Sequence, residues 1–267
     1  MSAEPSFDRA AFARRLQTRR LGRTLIARAE ADSTNDVVWE ALAQNAGEGV
    51  TVVADAQPKG RGREGRRWHL APQRGLALSV ALFQGCDGPA IATVPLAAGL
   101  AMARAAEKLG LDARLKWPND LLAGTRKLCG ILCESRRAGA RDVVVVGAGV
   151  NVLEQQDDFP QELRGLATSF AMEGVRVSRE EVAAEFLNAL EPLWGAHEEG
   201  GRESVIDAWR ARASFWGLPV TVRTPSGPLT GVARDLDPSG GLVLRLESGR
   251  EVVALAGDVE VSWPGEA

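Results

Sequence analysis

Gly60-Arg61-Gly62-Arg63-Glu64-Gly65-Arg66-Arg67-Trp68 is the stretch on which the reading of this chain turns. Its glycines let consecutive backbone N–H groups face an anion with no Cβ in the way. Its guanidinium groups add permanent charge and forked donors that match phosphate or carboxylate oxygens. A solvated basic loop has the same composition, so the neighbouring segments decide. On either side, residues 50–54 and 75–83 are rich in β-branched or alternating apolar side chains, which predicts two strands joined by a long connection. A connection of that length in a folded domain is functional or disordered.

Upstream, residues 7–18 have the spacing of a short amphipathic helix, and Leu25-Ile26-Ala27 reads as a first strand. Asp32-Ser33-Thr34-Asn35-Asp36 then precedes apolar Val37, Val38, Ala41 and Leu42, which places Ser33 as a helix N-cap with Asp36 three residues on. Downstream, residues 90–109 predict a long helix stopped by Gly110, with Arg104 and Lys108 in its last turns. Strands are expected over residues 114–117, 127–134 and 142–152, with Asn119-Asp120 and Gly124 as turns and Gly147-Ala148-Gly149-Val150-Asn151 as a closing glycine turn. Ser178-Arg179-Glu180-Glu181 opens a helix with a capping box that runs to about Trp194, and a shorter helix follows around residues 203–212.

From Gly217 the pattern changes to short strands over residues 220–223, 229–236, 241–246, 251–256 and 259–263, separated by serine-glycine turns. That spacing is the signature of a small β-barrel. Before it, helices and strands mix without regular βαβ alternation, which predicts an α+β fold: a mixed, mostly antiparallel sheet with helices on one face. Two domains are expected, residues 1–214 and 215–267.

Composition bounds the rest. The chain has 267 residues, 45% hydrophobic and 25% charged, the balance of an ordinary globular protein. A formal net charge of -3 argues against a general nucleic-acid binder, so the basic run is a local device. The most apolar helical stretch, residues 90–103, is short and holds Pro95, and no apolar run opens the chain. These features predict a cytoplasmic protein with no membrane segment. Three cysteines, Cys86, Cys129 and Cys133, argue against a disulfide framework; the only histidines, His69 and His197, are too distant in sequence to complete a metal set. Cys129 and Cys133 read as buried small side chains.

Ser33-Thr34-Asn35, Gln57 through Trp68, Lys116-Trp117-Pro118-Asn119-Asp120, Lys127-Leu128-Cys129-Gly130-Ile131-Leu132 and Gly147-Ala148-Gly149-Val150-Asn151 occur in this order. Together they resemble the recurrent patterns of the biotin protein ligases: S-T-N, G-R-G-R-x-G-R-x-W, K-W-P-N-D, K-x-x-G-I-L and G-x-G-x-N. The resemblance extends through the C-terminal strands, where that family has an SH3-like barrel. It implies an ATP-dependent ligase that joins biotin and ATP into biotinoyl-5′-AMP, then passes the biotinoyl group to a lysine of a biotin carboxyl carrier protein. Glu64 fills the variable position of the arginine run, where some relatives are basic. Regulatory members of the family begin with a winged helix-turn-helix, and only residues 1–24 precede the first expected strand, so a ligase without that DNA-binding domain is expected.

By the same resemblance, Ser33, Thr34, Asn35, Gln57, Arg61, Gly62, Arg63, Lys127 and Gly130 bind biotin, Lys127 at its carboxyl group. Arg63, Arg66, Trp68, Asn119 and Asn151 meet ATP, with Asn119 near phosphate or Mg2+ and Asn151 toward the adenine. Lys127, Arg63 and Asp120 carry the chemistry. Two anions must be brought together in the first step, which arginines permit by offsetting their repulsion. Asp120 orients or deprotonates the incoming amine, or else only stabilises a turn; Trp68 either offers an aromatic surface or anchors the loop in the core. The loop is expected to order around its ligands. Lipoate-protein ligase is the nearest alternative and a nucleic-acid-binding protein the more distant one; the oligomer is a monomer or homodimer.

Overall fold

The computed structural model describes residues 4–85, 91–138 and 141–264. Cys86 and the expected helix start at residue 90 lie outside the described residues. The larger of two sheets has seven strands, β1 (Leu25–Glu30), β2 (Thr51–Ala56), β3 (Leu76–Gly85), β4 (Arg114–Lys116), β5 (Asp120–Ala123), β6 (Arg126–Ala138) and β7 (Arg141–Val150), in the order β1-β2-β3-β7-β6-β5-β4. Strands β1 and β2 are parallel, with helix α2 (Thr34–Ala43) as the crossover between them; the other neighbouring pairs are antiparallel.

Side-chain alternation sorts the two faces of this sheet. Val80, Leu82, Val144 and Val146 join the core beneath the long helices α3 (Val94–Lys108) and α4 (Arg179–Glu198). Val52, Ala81 and Val145 pack instead with Val38 of α2. The long helices therefore gather on one face as expected, and α2 takes one end of the other. Beside α2, that second face carries Ser79, paired with Gly147, and Gly130, paired with Gly149.

Local chemistry explains the helices. Helix α3 is rich in alanine and leucine, strong helix formers, carries Pro95 in its first turn and is buried on nearly every side. Gly110 follows it at φ +93°, a conformation that favours glycine. Helix α4 starts with the expected reciprocal capping box between Ser178 and Glu181. Helix α1 (Arg9–Arg15) docks on α4 through Arg15 Nε to Glu185 Oε1 at 2.8 Å. The chain N-terminal to α1 is held by a buried pair, Arg179 to Asp55 at 2.8 Å, which also engages Ser6.

After α5 (Arg202–Arg210), the second sheet contains β8 (Pro219–Thr224), β9 (Gly227–Leu236), β10 (Leu242–Arg245), β11 (Glu251–Ala254) and β12 (Asp258–Val261), all antiparallel, in the order β11-β10-β9-β8-β12. Strands β11 and β12 remain its edges, so it is not closed into the expected barrel; strand spacing predicts the number of strands but not whether the last pairs with the first. Its apolar side, including Val222, Ala233 and Leu244, merges with the main core. Trp117 Nε1 donates to the Gly240 carbonyl at 2.9 Å and ties the two sheets together.

Two local expectations change. Asn119-Asp120 is not simply a turn: Asp120 begins β5, paired with Lys116 on one side and Gly130 on the other. Gly147 and Gly149 lie inside β7 rather than in a closing turn.

Candidate active site

The uncovered part of the large sheet is the floor of a cavity of about 620 Å³, walled by the arginine-glycine loop, by residues 163–167 and by β12. Its two floor glycines are explained by what crosses over them. A Cβ on Gly147 would stand 2.5 Å from Asn35 Oδ1, and one on Gly149 would stand 2.5 Å from Trp68 Nε1. Both are closer than real Cβ contacts, so glycine at these strand positions admits two side chains from distant segments. Gly130 is the third such place, where a Cβ would meet the Trp68 ring at 3.1 Å.

One end of the cavity is a neutral hydrogen-bonding cluster. Gln57 Oε1 accepts from the Thr34 backbone N–H at 2.7 Å and from its hydroxyl at 3.2 Å. Ser79 Oγ donates to Asn35 Oδ1 at 2.6 Å and lies 2.7 Å from the Thr34 hydroxyl. Asn35 Nδ2 is buried without a partner among the described residues, an unmet donor of the kind a bound polar group satisfies. Ser33 occupies the N-cap position of α2, but its side chain makes no cap hydrogen bond. The hydroxyl expected to cap the helix is therefore left at the cavity wall.

The other end is charged. Asp120 lies between two ammonium groups, Lys127 Nζ at 2.6 Å from Oδ1 and Lys116 Nζ at 3.1 Å from Oδ2. Burial pushes its carboxyl up, but Lys127 and Lys116 outweigh that and hold it below the usual carboxylate range. Asp120 is thus a fixed anion that orients Lys127, which also stands 5.7 Å from the centre of the Trp68 ring. The Trp68 Nε1 donor is buried and unpartnered among the described residues; the side chain is both a loop anchor against the floor and one wall of the cavity. Asn151 Nδ2 donates to the carbonyls of Thr168 at 2.9 Å and Lys127 at 3.3 Å, which fastens the backbone that carries the lysine.

Three of the four loop arginines, Arg61, Arg63 and Arg66, already face carboxylates. Arg61 forms a two-pronged pair with Asp36 at 2.6 and 2.7 Å and reaches Glu134 at 3.1 Å. Hydrogen bonding to Asp36 raises its pKa and lowers that of Asp36. Arg63 donates to the Gly257 carbonyl at 3.2 Å, and burial pushes its guanidinium down. Arg66 pairs with Asp258 at the start of β12. The C-terminal sheet therefore supplies a wall of the site and a carboxylate to the loop.

Every expected site residue comes to this cavity: Ser33, Thr34, Asn35, Gln57, Arg61, Gly62, Arg63, Arg66, Trp68, Asn119, Asp120, Lys127, Gly130 and Asn151 all line it. Lys116 and Asp258 also line it without having been assigned, and Ser79, itself buried, supports Thr34 and Asn35 from behind. Lys116 lay in a quoted motif, whereas the other two have no sequence signal of their own. Among the described residues no three His, Cys, Asp or Glu side chains gather as a metal cage. Asn119 Nδ2 donates to the Ile131 carbonyl at 2.5 Å, which commits the nitrogen and leaves Oδ1 as an acceptor. That arrangement fits Mg2+ arriving on a nucleotide's phosphates, its usual mode, rather than in a protein cage.

Comparison with known proteins converges on one family. Residues 27–151 match the model of the Biotin/lipoate A/B protein ligase family, and residues 216–262 match that of the Biotin protein ligase C terminal domain. The chain is 37% identical over 240 residues to the biotin--[acetyl-CoA-carboxylase] ligase of Mycobacterium tuberculosis, covering 86% of each chain. It is 32% identical over 249 residues to the bifunctional ligase/repressor BirA of Bacillus spizizenii, covering 92% of this chain and 76% of the relative. The biotin protein ligase of Aquifex aeolicus, solved in complex with biotin and ATP, superposes with a TM-score of 0.75 at 28% identity, covering 90% of this chain and 98% of that one. With five ordered motifs meeting in one cavity and relatives of this similarity along most of its length, the chain belongs to the biotin protein ligases.

Proposed function

We propose that this chain activates biotin with ATP to biotinoyl-5′-AMP and pyrophosphate, then transfers the biotinoyl group to a lysine of a biotin carboxyl carrier protein in the cytoplasm. The observation that carries this reading is the division of one cavity into a neutral hydrogen-bonding end and a cationic end, with glycine floor positions between them. The neutral end, Ser33, Thr34, Asn35, Gln57 and the Gly130 backbone, suits the ureido group of biotin; Arg61, Gly62, Arg63 and Lys127 suit its carboxylate. Arg63, Arg66, Trp68, Asn119 and Asn151 receive the nucleotide. Arg61 acts from the rim, where Asp36 and Glu134 hold it.

In the first step a carboxylate oxygen of biotin bonds to the α-phosphorus of ATP as the bond to the leaving pyrophosphate breaks. Lys127 and Arg63 offset the repulsion between the two anions, and their geometry is set before the ligands meet. Asn119 Oδ1 would help hold Mg2+ carried in on the nucleotide, and the ion would draw charge from the phosphate oxygens. In the second step a neutral lysine amine bonds to the acyl carbon, the carbon–oxygen bond to the phosphate breaks, AMP departs and the amine loses a proton to solvent. Lys127 stabilises the oxygen on which negative charge grows, and Asp120 keeps Lys127 aimed there.

We assign this chemistry to residues 1–214, with 215–267 as a C-terminal unit that completes the wall. The test is direct: purified protein with biotin and ATP releases pyrophosphate and labels a carrier domain with biotin. Absence of pyrophosphate release overturns the proposal, and faster release with lipoate than with biotin reassigns the substrate.

A further inference from the structure

The molecule has a second large cavity, of about 810 Å³, on the other side of the arginine-glycine loop. Arg63, Asn119, Ile131 and Leu132 line both cavities, so the two spaces meet at the loop where the carboxyl end of biotin and the α-phosphate are placed above. The second cavity is mainly apolar. Leu96 and Pro95 of α3, Trp117, Pro118 and Leu255 form much of its wall. Its charged lining is mainly cationic, Lys59 and the loop arginines against Glu64 and Glu134, and Glu134 is already held by Arg61.

Its mouth carries exposed apolar surface. Among the described residues, the large hydrophobic side chains most open to solvent are Leu255 at 74% and Leu166 at 66%, with Val253 at 44% and Leu153 at 37%. Val253 and Leu255 are two apart at and just beyond the end of β11, and both approach Gly241. Single exposed apolar residues are ordinary, but a neighbouring pair at the entrance of a cavity that leads to the reacting atoms has a geometric reason to be there. Leu166 lies on the opposite side, at the wall of the sheet-face cavity.

The geometry points to the second cavity as the entry for the acceptor lysine: its apolar walls take the four-carbon stem, the cations that line it favour the neutral amine that the transfer step needs, and Leu255 with Val253 receives an apolar patch of the carrier beside that lysine. This rests on the ligase reading above. A lysine side chain matches the space because it needs an apolar sheath along its stem and a polar path for its head. The sheet-face cavity, filled by biotin and nucleotide in that reading, leaves the loop side as the free approach.

The test separates the two half-reactions. Leu255→Ser removes the exposed apolar side chain at the mouth, and Ala92→Trp blocks the cavity from an exposed position in its lining; Leu153→Ser, at an exposed apolar residue that lines neither cavity, is the control. For the first two, biotin-dependent pyrophosphate release and transfer of biotin to hydroxylamine stay within about twofold of the unaltered protein, while kcat/KM for a carrier domain falls by about tenfold or more. Leu153→Ser leaves all three rates unchanged. Normal carrier transfer by both Leu255→Ser and Ala92→Trp overturns the inference. So does selective loss of carrier transfer in Leu153→Ser, which would put the carrier's docking away from this cavity, or an equal loss of hydroxylamine transfer in the first two variants, which would put the cavity on the small-molecule path. Absence of pyrophosphate release from the unaltered protein would instead reject the ligase reading itself.

Discussion

Replacing Gly149 by alanine tests how the loop is seated on the sheet. The added Cβ would stand 2.5 Å from Trp68 Nε1 and 2.8 Å from Cδ2, both inside the 3.0 Å that real Cβ atoms essentially never cross. Gly149 is paired on both sides, with Ala77 of β3 and Gly130 of β6, so the strand has little room to retreat and the indole must move. Overpacking costs about 1–3 kcal/mol. Trp68 belongs to a loop and is only partly buried, so outward rotation relieves much of the clash and the expected cost is near the lower end, about 1 kcal/mol. In a chain of this size that is a fall in Tm of roughly 2–4 °C. The larger effect falls on chemistry. Once Trp68 leaves its seat, Arg63 and Arg66 lose their placement against Lys127, and biotin-dependent pyrophosphate release is expected to drop by about tenfold or more. Thermal unfolding and pyrophosphate release are measured for Gly149→Ala, Trp68→Ala and the double variant. Because the clash needs both partners, the stability cost of alanine at 149 should vanish in the Trp68→Ala background. Wild-type stability and turnover in Gly149→Ala, or the same cost in both backgrounds, would refute the reasoning.

Three further outcomes are expected. Lys127→Ala leaves Asp120 with Lys116 alone and removes a cation from the reacting end; the protein stays folded, and pyrophosphate release falls by about 100-fold or more, as for loss of a charge-stabilising donor. Ser33→Ala removes no cap bond, so unfolding by urea should shift by less than about 0.5 kcal/mol while the KM for biotin rises; a stability loss of about 1 kcal/mol or more would restore the capping role. Burial pushes Glu154 up to about 7, so its folded form binds a proton that the unfolded chain releases at lower pH. Its contribution to stability therefore declines as pH rises from the ordinary carboxylate range toward about 7 and levels off above it. Glu154→Gln should flatten that decline in urea titrations at a series of pH values, and an unchanged slope would contradict it.

Much of the fold was legible because its elements announce themselves locally. The capping box at Ser178 and Glu181, the alanine-rich α3 before Gly110 and the β-branched run of β7 each follow from nearby residues. Strand β5 was hidden by Pro118-Asn119-Asp120, whose turn chemistry masks four residues that pair with β4 and β6. The glycines of β7 were misread for a related reason: they are small because Asn35 and Trp68 cross above them, and neither neighbour is near in sequence. The site residues were recognised through ordered motifs, but their partners were not. Asp36, Glu134 and Asp258 hold the loop arginines from three separate elements, and only the folded chain shows which acid meets which arginine.

The hydrogen bond from Trp117 to Gly240 and the grip of Asp258 on Arg66 make the C-terminal sheet a poor candidate for interchange. A chimera that imports residues 216–262 from another ligase must also import a carbonyl for the indole and an acid for the guanidinium, or alter both recipients to match. Changes on the two sides of that seam are expected to travel together, however far apart they lie along the chain.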